Sequence, residues 1–370
     1  MSITEQAALS ALAPIREPEV GKGILELDMI QDLAVDGANV SLRLVLMTPA
    51  YLPKAELVDH IERALGKAGA AKVDIRLDYA IRKREITADD PCPGVANIVL
   101  VMSGKGGVGK STVATNLALS LTREGASVGL LDADMYGPSI PTMLGVNGRP
   151  ISADGKKFLP LERFGLKLMS LGFMLEDARQ AVVWRGPMLQ SALMQFLKDV
   201  EWGPLDYLVL DLPPGTGDIA LTISQKLRTT GAVVVTTPQE VALQDVYKSV
   251  SMAQKVGIPI LGVVENESYF ICDGCEKRHE LFGSGGGRAI ADFAEAPLLG
   301  QIPLDASIRE WGDAGTPVVQ AAPESSVAKA FREIALRLAG RVSARNVEHG
   351  GDSLTIDRSG GKNRHLPISR

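Results

Sequence analysis

The run Gly104-Lys105-Gly106-Gly107-Val108-Gly109-Lys110-Ser111 restricts what this chain can fold into more than any other stretch, because of what flanks it. Ile98 to Met102 before it is an unbroken apolar run of strand length, and the residues after it read as a helix. A strand, a loop spaced G-x-x-x-x-G-K-[ST] and a helix make one unit, in which backbone N–H groups curl around phosphate oxygens. The positive end of the helix adds to that attraction. The spacing assigns Lys110 to β- and γ-phosphates and the Ser111 hydroxyl to Mg²⁺, with Gly104, Gly106, Gly107, Val108, Gly109 and Thr112 completing the cradle. A glycine-rich turn with an incidental lysine is the plain alternative, and the flanking strand and helix argue against it.

From Asn97 onward, short runs rich in Val, Leu and Ile alternate with longer helical segments. That alternation predicts a doubly wound α/β fold, a mostly parallel sheet with helices on both faces. The core strands expected are Ile98 to Met102, Val128 to Asp132, Leu166 to Leu171, Tyr207 to Asp211, Ala232 to Thr236, Ile260 to Glu265 and Leu298 to Ile302. Ahead of them, Thr4 to Asp78 reads helix, strand, strand, helix, strand, a small α+β unit. Leu42, Leu44 and Leu46 alternate as a half-buried strand does, Asp36-Gly37 supplies the turn before it, and Pro53 precedes the helical spacing of Leu57, Ile61 and Leu65. The expected division is residues 1–80 for the small domain, 81–96 for a linker broken by Pro91 and Pro93, 97–345 for the phosphate-binding domain, and 346–370 for a disordered polar tail.

With 370 residues, 45% of them hydrophobic, the chain can bury a large core. A net charge of −5 offers no basic excess for gripping a phosphate backbone, so nucleic acid is not an expected partner. Met1 to Val20 lacks the basic start and apolar run of a secretory segment, and no later stretch is apolar enough to span a bilayer. A cytoplasmic protein with no stable membrane association is expected. Its three cysteines, Cys92, Cys272 and Cys275, are too few for a disulfide framework and suit a reducing compartment.

Carboxylates fall at predicted strand ends, where active groups of such sheets gather. Asp211 is placed to hold Mg²⁺ through water, Asp134 to orient an attacking water, and Asp132 to touch the metal from a second shell. Each aspartate taken singly is equally readable as a solvated strand end or a helix cap, as Asp218 illustrates.

Cys272-Asp273-Gly274-Cys275 puts two thiols on one turn. Two thiolates hold one edge of a metal site and cannot finish one that needs four ligands; a second copy related by two-fold symmetry would supply the other pair. From spacing alone, a redox dithiol, half a zinc site and inert turn cysteines compete with that reading.

Lys105, a second lysine inside the loop, resembles the deviant Walker A loop of MinD/ParA-class ATPases. The resemblance implies a sandwich dimer in which Lys105 of one chain reaches the nucleotide of the other. Taken together, Lys105 to Thr112, Asp132 to Ser139, Asp211 to Asp218, and Glu265-Asn266 with Ser268-Tyr269-Phe270 ahead of C-x-x-C resemble the Mrp/ApbC family of iron-sulfur cluster carriers. This resemblance implies a homodimer bridged by a 4Fe-4S cluster on Cys272 and Cys275, ATP hydrolysis linked to delivery to apo iron-sulfur client proteins, and Asn266 near the adenine. Glu267 departs from the family, which commonly has methionine there. The first domain resembles the iron-sulfur assembly domain often fused ahead of such ATPases, but Thr48-Pro49-Ala50 lacks the cysteine its relatives often carry. It is therefore expected to dock clients or a cluster-assembly scaffold, or to regulate the ATPase. Two rivals remain: a positioning ATPase of the MinD/ParA type that cycles on membrane or DNA, the basic helix around Lys329, Arg332, Arg337 and Arg341 suiting a membrane surface, and an ATP-driven reductase like the nitrogenase iron protein.

Overall fold

The computed structural model describes residues 3–134, 137–152, 155, 157–174, 186–215, 217–272 and 274–349. Most of the expected 346–370 tail lies outside the described residues. The chain divides into two compact units, one made of residues up to Lys83 together with those from Ala339 on, the other running from Arg84 to Leu338.

In the first unit, α1 (Glu5–Leu12) begins at Thr4, whose hydroxyl accepts from Ala7 N at 3.2 Å and so satisfies a donor the first turn leaves open. β1 (Ile30–Asp36) and β2 (Asn39–Leu46) pair antiparallel across Asp36-Gly37, with Gly37 at φ +61°. α2 (Lys54–Lys67) follows Pro53 and buries Leu57, Ile61 and Leu65, and β3 (Lys72–Tyr79) returns parallel to β2. Leu42, Leu44 and Leu46 face this core as the alternation predicts.

The second unit holds β4 (Val95–Ser103), α3 (Lys110–Arg123), β5 (Val128–Asp132), α4 (Ile140–Met143), β6 (Leu161–Arg163), β7 (Leu166–Ser170), α5 (Gly186–Asp199), β8 (Leu205–Asp211), α6 (Gly217–Lys226) and β9 (Gly231–Thr236). It continues with α7 (Glu240–Lys255), β10 (Ile260–Glu265), β11 (Phe270–Ile271), β12 (Arg278–His279), α8 (Gly286–Phe293), β13 (Leu298–Gln301), α9 (Ala306–Asp313), α10 (Val318–Ala321) and α11 (Ser326–Glu348). Eight strands form one sheet in the order β13-β10-β9-β4-β8-β5-β7-β6, parallel throughout except for β6 against β7. β4 sits between β8 and β9, so the chain leaves it on one side for β5 and returns later on the other; the carboxyl ends of β4, β8 and β5 meet at that reversal.

Much of the expected 81–96 linker is ordered into the second unit. The Arg84 guanidinium donates to Asp90 Oδ1 at 2.9 Å, to Arg228 O at 3.0 Å and to Cys92 O at 3.2 Å, and Cys92 N donates to Asp90 Oδ1 at 2.9 Å. α11 runs through both units. Its Phe331, Ile334 and Leu338 are buried, and β13 accommodates them at Gly300, where an added Cβ would stand 2.5 Å from Ile334 Cγ1. Burying three such side chains contributes roughly 1.5–3 kcal/mol each. The apolar side of this basic helix is thus spent on the sheet rather than left for a membrane surface. Beyond Leu338 the helix belongs to the first unit, where Val347 packs on the core, Asn346 Nδ2 donates to Arg82 O at 2.8 Å, and a Cβ on Gly340 would come 2.7 Å from the Glu19 carboxyl carbon. Among the described residues no helix is long and apolar enough to cross a membrane.

Candidate nucleotide site and cysteine hairpin

Between β4 and α3 the loop closes around a cavity of about 240 Å³ lined by Lys105, Lys110, Ser111, Thr112, Asp134 and Ser139, among others. Two glycines make the loop possible. Gly104 lies against α7, where a Cβ would meet the Asp245 and Val246 backbone at 2.4 Å, and Gly109 caps α3 at φ +77° with the Asn266 amide only 2.2 Å from where its Cβ would be.

Lys110 is almost fully buried and its Nζ lies 2.5 Å from Asp211 Oδ1, 3.3 Å from Ser111 Oγ and 4.0 Å from Asp134 Oδ2. The sheet register makes Asp132 and Asp211 direct neighbours on β5 and β8. Asp132 Oδ1 accepts from Asp134 N at 3.1 Å and its Oδ2 from Ser170 Oγ at 3.0 Å. Burial and the adjoining Asp211 push the Asp132 carboxyl up to about 8. Burial also raises Asp211, a shift that the Lys110 ammonium opposes.

Asp211 Oδ2 is buried without a hydrogen-bond partner. An orphaned carboxylate oxygen close to the Ser111 hydroxyl is the donor set a hard cation takes, so these residues fit Mg²⁺. Asp134 lines the same cavity, accepts from Gly137 N at 3.3 Å, and has its Oδ2 4.0 Å from Lys110 Nζ.

Asn266 does not line the cavity. It braces the loop from behind, donating from Nδ2 to Val108 O at 3.0 Å. Ser139, Gly137 and Pro214 line the cavity without having been picked out from the sequence. They fall within the quoted motifs Asp132 to Ser139 and Asp211 to Asp218, which was the available signal. Ser170, the partner of Asp132, had none. Thr216 and Asp273, both inside quoted motifs, lie outside the described residues, as does the side chain of Asp218.

Cys272 and Cys275 sit on the turn between β11 and β12, closed by Cys272 N donating to Lys277 O at 3.0 Å and Glu276 N donating to Cys272 O at 2.7 Å. Cys275 is exposed and Cys272 half-buried, and Ile271, Leu281 and Phe282 are exposed nearby in sequence. Among the described residues no three His, Cys, Asp or Glu side chains converge to hold a metal ion.

Cys92 is a different case. It is buried beside Arg84 and Asp90, and burial pushes its thiol up to about 12. A thiol raised this far stays protonated through the working range. In the native protein Cys92 is therefore expected to resist iodoacetamide from pH 7 to 9 while Cys275 reacts, and Cys92→Ser is expected to leave iron content after reconstitution unchanged; peptide mapping and iron analysis check the pair.

The sheet order, the phosphate loop with its second lysine and the strand-end aspartates define a P-loop NTPase of the MinD/ParA type. Residues 94–339 match the family model described as NUBPL iron-transfer P-loop NTPase, and residues 5–80 match that of the iron-sulfur cluster assembly protein. The chain belongs to the NUBPL iron-transfer P-loop NTPase family. It is 46% identical over 348 residues to the iron-sulfur cluster carrier protein of Synechocystis, covering 92% of this chain and 98% of that one, and 45% identical over 334 residues to that of Escherichia coli K12, covering 90% of each. Among solved structures it resembles the nucleotide-binding protein of Archaeoglobus fulgidus in complex with ADP, at 39% identity and TM-score 0.54 over 62% of this chain and 92% of that one. The cell division ATPase MinD of Pyrococcus furiosus follows at 28% identity and TM-score 0.50, over 65% and 97%.

Proposed function

We propose that this chain is a cytoplasmic iron-sulfur cluster carrier that holds a 4Fe-4S cluster between two copies of itself and passes it to apo-proteins in a cycle of ATP binding and hydrolysis. The observation that carries the reading is the cysteine hairpin. It presents two thiols at an exposed turn, with no cluster of three potential ligands among the described residues, in a chain that matches an iron-sulfur cluster carrier protein along nearly its whole length. Two thiolates per chain need a second copy to reach the four that a 4Fe-4S cluster takes. The exposed apolar residues Ile271, Leu281 and Phe282 suit a face that a second copy covers.

At the nucleotide site, Lys110 binds the β- and γ-phosphates of ATP, Ser111 and Asp211 hold Mg²⁺, and Lys105 acts on the nucleotide of the partner chain. When bound, Mg²⁺ neutralises charge developing on the phosphates. Asp134 orients the attacking water, Asp132 fixes the Asp134 backbone through its own carboxyl, and Asn266 holds the loop beside the adenine. The first unit, with Ala50 where a cysteine ligand would stand, docks clients or the scaffold that supplies the cluster.

Anaerobic reconstitution with iron and sulfide, followed by counting both per pair of chains, tests the proposal. About four irons and four sulfides per dimer are expected. A monomer with one zinc, or a dimer that binds no iron, would refute it.

A further inference from the structure

Glu265, at the end of β10, is buried with 0% exposure, a costly place for a carboxylate unless every lone pair is used. Here both oxygens are engaged. Oε1 accepts from Ser268 Oγ and, at 2.7 Å, from Gln301 Nε2, while Oε2 accepts from Gly287 N. Ser268 and Gly287 engage one oxygen each and hold the strand end. The bond to Gln301 does something more, because Gln301 leads outward: its Oε1 accepts from Arg278 Nη2 at 3.3 Å.

Arg278 belongs to the cysteine hairpin. It lies on β12 opposite Ile271, the residue before Cys272, and its guanidinium stands 4.0 Å above the Tyr269 ring. At the other end of the chain of contacts is Asn266, next to Glu265, whose side chain is bonded to the phosphate-loop carbonyl of Val108 and whose N donates to Thr236 O at 2.8 Å. A continuous set of hydrogen bonds and one peptide link therefore joins the phosphate loop to the turn that carries Cys272 and Cys275.

We propose that Glu265, Gln301 and Arg278 are positioning residues forming a strut through which the state of the phosphate loop sets the placement of the cysteine hairpin. Phosphate oxygens compete with Asp211 for Lys110, and the loop backbone must follow its lysine. Asn266 packs too closely on Gly109 to stay behind when Val108 and Gly109 move. β10 is paired on both sides, so its end shifts as a body instead of bending, and the Gln301–Arg278 arm carries that shift to the hairpin. The purpose of the strut rests on assigning the cysteine pair to a cluster; the contacts themselves do not.

The test uses the full chain, reduced and free of iron, and follows alkylation of Cys275 by iodoacetamide with and without Mg-ATP, resolved by peptide mapping. In the unaltered chain Mg-ATP is expected to change the rate about fivefold or more, the lower end of ordinary coupling between sites. Gln301→Leu and Arg278→Met should each bring that ratio close to one while still binding ATP. Arg278 is half-exposed, so Arg278→Met keeps the fold and decides the matter if Gln301→Leu does not fold. A rate that Mg-ATP leaves unmoved in the unaltered chain, a ratio unchanged in Arg278→Met, or loss of ATP binding in that variant overturns the strut. Iron content after reconstitution of the unaltered chain is measured separately. Its absence would sink the carrier reading and leave the alkylation result standing.

Discussion

Lys110→Ala is expected to lower ATP hydrolysis by at least about 10²–10³-fold, the usual cost of removing one fixed group from a site that stabilises developing charge. The side chain is buried with its ammonium between Asp211 and Asp134, so no mobile lysine can substitute for it. Removing it also strips Asp211 of the charge that opposes its burial, which pushes the Asp211 carboxyl further up and weakens its hold on Mg²⁺. Nucleotide binding as well as turnover is thus expected to suffer. Lys105→Ala separates the two effects. Its side chain is partly exposed at the mouth of the cavity, so nucleotide binding should remain measurable while hydrolysis is lost. Steady-state phosphate release with parallel equilibrium binding checks both variants. Normal turnover in Lys105→Ala would exclude a lysine acting across the dimer.

Cys272→Ala and Cys275→Ala are each expected to abolish cluster binding outright. A single change in the gene removes two of the four ligands in a symmetric dimer, and a half-liganded cluster does not persist. The broad visible absorbance after reconstitution should vanish, along with activation of an apo-protein acceptor. Hydrolysis should fall little, because Lys110, Ser111 and Asp211 stand at the ends of β4 and β8 while the hairpin follows β10. A single-cysteine variant that still held four irons per dimer would leave a P-loop ATPase with a different cargo.

The phosphate loop was readable because its chemistry fixes backbone positions, and so fixes glycines at set spacing next to a lysine and a hydroxyl. The core strands were readable for a similar reason: strands buried on both faces, such as β4 and β9, read as near-continuous apolar runs, Ile98 to Met102 and Ala232 to Val235. β6, β11 and β12 were not, since two or three residues carry no period. The pairing of Asp132 with Asp211 depends on the register of β5 against β8, which no local pattern announces. Gln301 and Arg278 are similar: one ends a strand and the other lies on a short hairpin, and only the fold brings them to Glu265. Cys92, placed in a linker by its prolines, turned out to belong to a buried Arg84–Asp90 cluster because Arg84 also reaches the Arg228 carbonyl far along the chain.

The last helix bears on how this protein is made. Residues up to Lys83 leave the ribosome well before α11, yet the surface that Val347 covers and the Arg82 carbonyl that Asn346 satisfies must wait for that helix to be synthesised. The first unit thus stays unfinished through translation of everything between, open to chaperones or to early partners, and it closes only once α11 has been made.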